Sequence, residues 1–133
     1  MTGRQEERPD NGHQGSAPYA AITAQCFINA PFAQLQQGLL PLFLTHRLRP
    51  EIGLEGDCLW RTSREEFKAA ADQLRERGLA CTLHAPFTDL APGATDPRIR
   101  EITRDKLRRA VALADLFQPR AIVCHLGYDD HKH

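Results

Sequence analysis

Short apolar runs alternate with helix-spaced stretches from Tyr19 onward, and a chain built that way has few folds open to it. Residues 19–28, with Ile22, Thr23, Cys26 and Phe27, read as a first strand. Phe32, Leu35 and Leu39 then recur at helical spacing, with Asn29 available as a cap. Pro41 should kink or end that helix, because proline lacks the backbone donor and clashes one turn back. The stretch to Leu48 therefore reads as two short helical pieces. Residues 50–55 (PEIGLE) give a second strand. Ser63 and Glu66 have the spacing of a capping box. Phe67, Ala70, Ala71 and Leu74 follow on one face, and Gly78 is placed to end the helix in a left-handed conformation. Residues 79–83 form a third strand. Asp96-Pro97 starts the next helix with a capping carboxylate and a proline at the first helical position. Ile99, Thr103, Leu107, Ala110, Ala114 and Phe117 run down one side of it, with Arg100, Arg104, Arg108 and Asp115 opposite. Pro119 stops it, and residues 121–124 make a fourth strand.

The order β-α-β-α-β-α-β implies parallel strands joined by crossovers, hence an α/β fold. The strands are apolar without clean alternation, as in sheets covered on both faces. A small doubly wound sheet and part of a (β/α)8 TIM barrel, with about four parallel strands and outer helices, both fit. Residues 1–18 are polar and mixed in charge, with no aromatic residue, and read as a disordered tail ahead of a single domain over 19–133.

Formal net charge is zero, so nothing attracts the chain as a whole to nucleic acid or an anionic membrane. Residues 39–44 form the longest apolar run, far short of the roughly 20 residues that span a bilayer, and contain Pro41. The first residues lack the apolar stretch of a secretory signal, which points to the cytoplasm. Cys26, Cys58, Cys81 and Cys124 are widely spaced with no C-x-x-C pair, against a zinc or disulfide framework. Cys26, Cys81 and Cys124 fall in the strand-like runs and are expected to be small buried hydrophobes. No glycine-rich phosphate loop and no nucleophile elbow is present.

The third and fourth strands run into C-T-L-H-A-P-F-T-D-L (residues 81–90) and A-I-V-C-H-L-G-Y-D (residues 121–129). Each ends in a histidine at its carboxyl end, His84 and His125, with a helix between them. This resembles the xylose isomerase-like TIM barrel superfamily, the sugar-phosphate isomerase/epimerase and endonuclease IV-like proteins, over roughly residues 20–129. A full barrel needs about 250 residues, so the resemblance implies an N-terminal half with four of the strands. The family's principal metal site takes Glu, Asp, His and Glu from the later strands. In its endonuclease-like members, histidines at the ends of strands three and four bind additional metal. On that resemblance His84 and His125 are metal ligands for zinc or manganese, held weakly or not at all by this half alone. The implied activity is metal-dependent sugar or sugar-phosphate isomerisation or epimerisation. The alternatives are endonuclease IV-like phosphodiester hydrolysis, or a non-catalytic half-barrel that self-associates through its open edges.

Each candidate residue also has a plainer reading. His84 and His125 either ligate metal and border a substrate pocket or hydrogen-bond a loop. Glu55, at the end of the second strand, either binds a sugar hydroxyl, orients a histidine or lies in solvent. Asp89 and Asp129 are loop carboxylates that fit a helix cap, a supporting acceptor or no role at all, and Tyr128 contacts ligand or packs a loop. Trp60 either covers the barrel mouth or plugs the core under a loop. The six basic residues of 98–109 are interleaved with acids and read as a solvated helix face. His131, Lys132 and His133 form a polar end able to take stray metal.

Overall fold

The computed structural model describes residues 19–125. The expected tail at 1–18, and the expectations for Tyr128, Asp129 and His131–His133, lie outside the described residues.

Four strands, β1 (Ile28–Pro31), β2 (Pro50–Gly53), β3 (Thr82–His84) and β4 (Ile122–Val123), form one parallel sheet in the order β1-β2-β3-β4. Pairing continues past the strand ends, with Leu54 N–H donating to His84 O at 3.0 Å and Ala85 N–H to Val123 O at 2.9 Å. Consecutive order joined by right-handed crossovers winds all connections onto one face. The packing agrees: Phe32, Phe67 and Phe117, one from each of the three crossovers, form a single aromatic cluster with centroids 4.5 to 6.4 Å apart. A doubly wound sheet reverses its strand order and covers both faces. Among the described residues the order does not reverse, as in a partial barrel or in one half of a Rossmann-like α/β fold.

The first crossover begins later than the sequence suggests. Residues expected in a first strand instead form a short helix, α1 (Ala20–Thr23), and β1 starts at Ile28. Asn29 is a strand residue and not a helix cap; the position before α2 (Phe32–Gln34) is Pro31, with no side-chain cap. The helix does divide into two pieces, but the break lies at Gly38, whose φ of 126° only glycine adopts freely. Pro41 lies in the first turn of α3 (Leu40–Thr45), where a missing N–H leaves no bond unmade.

The second crossover follows the sequence signals closely. After a short α4 (Cys58–Arg61), Ser63 caps α5 (Arg64–Glu76), and the box is reciprocal: Glu66 N–H donates to Ser63 Oγ at 3.2 Å and Ser63 N–H to Glu66 Oε2 at 2.8 Å. Those bonds hold the Glu66 carboxyl below its usual range. Phe67, Ala70, Ala71 and Leu74 are buried, and Gly78 takes φ 63° just past the helix. In the third crossover Asp96 accepts from Arg98 N–H at 2.8 Å and opens α6 (Pro97–Ala112). The chain bends at Leu113 into α7 (Ala114–Phe117) and leaves through Gln118 in the left-handed region.

Register sorts the strand residues by face, since side chains alternate along a strand. Ala30, Ile52, Leu83 and Ile122 lie in one row under the helices; the first three are fully buried. Asn29, Glu51 and Thr82 form a row on the other face, followed toward the carboxyl ends by Pro31, Gly53, His84 and Val123. Two cysteine expectations are corrected here: Cys26 and Cys124 are exposed, whereas Cys58 joins Cys81 in the core. Residue 26 precedes β1 and residue 124 follows an edge strand, so neither is covered by a neighbour.

Candidate functional site

The carboxyl end of the sheet brings together three rings and one carboxylate. His84 ends β3, and His125 follows β4 by two residues, on the same face. Parallel neighbours stand about 4.8 Å apart, which lets the two imidazoles meet. Their Nε2 atoms are 2.8 Å apart and the rings are T-shaped at 70°, with centroids 5.0 Å apart. At that distance one nitrogen donates and the other accepts.

Phe87, three residues beyond His84, completes a triangle. Its ring centroid lies 5.3 Å from that of His84 and 5.5 Å from that of His125. It remains 45% exposed, so it walls the pair on one side without sealing it. The sequence singles out both histidines but gives Phe87 no role; its place in H-A-P-F is the only signal that points there.

Glu55 does not touch the imidazoles. Its Oε1 accepts from Phe87 N–H at 2.6 Å and its Oε2 from Thr88 Oγ–H at 2.8 Å. Both carboxylate oxygens are thus engaged by the loop that follows β3. Gly56, at φ 62°, turns the chain away immediately afterwards toward α4. Asp89 also takes a left-handed φ of 54°, with its carboxylate 3.9 Å from Lys106 Nζ.

For a metal, the described residues supply a two-nitrogen corner. Two imidazoles on one tetrahedral ion stand about 3.3 Å apart, so the pair at 2.8 Å needs only a small rotation. No group of three or more His, Cys, Asp or Glu side chains able to hold an ion occurs among the described residues. Further donors would come from beyond them.

The other candidates lie apart from this corner. Trp60 is 46% exposed on α4 and carries the Arg109 guanidinium 4.5 Å over its ring, so it neither plugs the core nor covers the strand ends. The basic run of α6 is paired along its length: Arg98 with Asp96, Arg104 and Arg108 with Glu101, Arg109 with Asp105, Lys106 with Asp89. Arg100 instead donates to Ala94 O and Thr95 O. That accounts for the run as a solvated face. No helix among the described residues is long and apolar enough to cross a membrane.

No protein-family model matches the chain, and no curated protein matches it. A solved structure, that of the TTHB071 protein from Thermus thermophilus soaked with ZnCl2, shares the fold with a TM-score of 0.61 at 23% identity. The similarity covers 77% of this chain, which spans 40% of that one.

Proposed function

We propose that the chain forms the N-terminal half of a xylose isomerase-like barrel, a cytoplasmic metal-dependent sugar or sugar-phosphate isomerase or epimerase in its complete form. The observation that carries this reading is the convergence of His84 and His125 at adjacent strand ends, with Nε2 atoms 2.8 Å apart. Barrels of parallel strands do their chemistry at that end. The fold is shared with a larger protein, of which this chain spans 40%, which fits a chain that makes up part of a larger α/β structure.

His84 and His125 would hold a divalent zinc or manganese ion, through neutral imidazole nitrogens suited to borderline metals. A bound ion supplies stabilisation of negative charge on substrate oxygens. The two imidazoles then define one wall of the pocket, and Phe87 keeps water from its side. The carboxylates that move protons would come from the later strands of a complete barrel.

Zinc titration by calorimetry tests the reading. Wild type should bind weakly, because two neutral ligands bring no charge to a divalent cation and a catalytic zinc has three protein ligands. His84→Ala and His125→Ala should each abolish binding. Unchanged binding in both variants would move the metal elsewhere, to His131 and His133, and overturn the proposal.

A further inference from the structure

We infer that Glu55 is a positioning residue, which fixes the loop after β3 so that the Phe87 ring stands against both imidazoles. The inference builds on the reading of His84 and His125 as the functional corner.

The loop from Ala85 to Asp96 has little regular structure of its own. Its far half is tied to α6: Ala91 N–H donates to Thr103 Oγ at 3.0 Å, and Arg100 holds Ala94 O at 2.6 Å. Its near half, the turn through Phe87, Thr88 and Asp89, is tied differently. Among the described residues, the hydrogen bonds joining that turn to the rest of the fold are the two to Glu55. The Asp89–Lys106 contact, at 3.9 Å, adds only a long ion pair at an exposed carboxylate.

The geometry explains why a carboxylate suits this position. Phe87 N–H and Thr88 Oγ–H are two donors side by side, and a carboxylate offers two acceptor oxygens at matching separation. One carboxylate thus accepts from both donors at once, at 2.6 and 2.8 Å. Glu55 reaches them from the end of the neighbouring strand, and Gly56 takes the backbone away at a left-handed φ, leaving the side chain to span β2 and the β3 loop. At 45% exposure Phe87 gains only part of what full burial would supply. The tether two atoms from its Cβ therefore decides whether it stays beside the histidines or swings into solvent. Glu55 acts on the site through Phe87.

The experiment uses the full 133-residue chain and the variants Glu55→Ala, Glu55→Gln, Phe87→Ala and the Glu55→Ala/Phe87→Ala double variant. The first readout needs no metal: the imidazole proton resonances of His84 and His125 by NMR, which the current of the neighbouring Phe87 ring displaces. Glu55→Ala should move both sets toward the positions seen in Phe87→Ala, and the double variant should add nothing. Glu55→Gln, which keeps one acceptor oxygen, should fall between. The second readout is zinc affinity; groups that orient a metal's ligands typically change it about 10–100-fold. Glu55→Ala and Phe87→Ala should each weaken it about 10-fold and the double variant no further, the non-additivity expected of residues acting through one contact. Absence of zinc binding in wild type would defeat the functional reading, while the metal-free resonances would still decide the role of Glu55. Thr88→Val, which removes one of the two bonds, is the milder variant should Glu55→Ala unfold; it should shift the resonances in the same direction by less. Imidazole resonances unmoved by Glu55→Ala, or by Thr88→Val where that is used, would overturn the inference.

Discussion

The two faces of the sheet have opposite compositions. The face under the helices carries Ala30, Ile52 and Leu83 at zero exposure, continued by Leu54 and Ala85, also at zero. The other face carries Asn29, Glu51, Thr82 and His84. One face packs under the helices and the other carries the polar side chains and His84, and the two-residue period of a strand is what separates them. The polar face is not a weak version of the apolar one. Asn29 Nδ2 donates to Glu51 Oε1 at 3.2 Å across the β1–β2 pair, an exposed contact that costs little to lose.

The largest expected effect tests the burial side of that contrast. Leu83→Ala leaves a cavity between β3 and the helices and should destabilise the fold by about 2–5 kcal/mol, read as a lowered denaturation midpoint. Asn29→Ala, one strand residue from Ala30, should stay within about 0.5 kcal/mol of wild type. Similar losses for both would break the assignment of faces.

Thiol chemistry should sort the same way. Burial pushes the Cys58 and Cys81 thiols up to about 11. Cys26 and Cys124 are exposed. A thiol reagent near pH 8 should therefore modify two cysteines rapidly and the other two only on unfolding. The linkage has a definite sign. The unfolded chain loses its thiol protons first, so stability should fall as pH rises past the ordinary thiol range toward 11. Four equally fast thiols would show that the helix-covered face is open.

The smallest effect concerns a feature outside both faces. Ser63→Ala removes the side-chain half of the capping box and should cost about 1 kcal/mol, with His84 and His125 undisturbed. A change in zinc affinity in that variant would mean that the site depends on the stability of α5 as a whole.

Legibility in the sequence follows the range of the interaction involved. Ser63, Glu66, Gly78, Asp96 and Pro97 are read correctly because each acts on backbone within one helical turn of itself. The sequence places the first strand too early because an apolar run is compatible with either helix or strand, and pairing with β2 begins only at Ile28. Asn29 has the side chain of a cap, yet its partner is Glu51, 22 residues away. The same limit applies at the strand ends. Motif and order assign two histidines to adjacent strand ends, but neither reveals the triangle with Phe87.

The sequence by itself determined the parallel α/β plan, the helix caps and the pair of strand-end histidines, since alternation, capping and strand ends are local properties. Only the tertiary structure decided the role of Glu55. Its carboxylate meets Phe87 N–H from 32 residues away, and Thr88 Oγ–H from 33. Which donor a carboxylate finds at that separation depends on how two neighbouring strands are set in register, and register is a property of the assembled sheet.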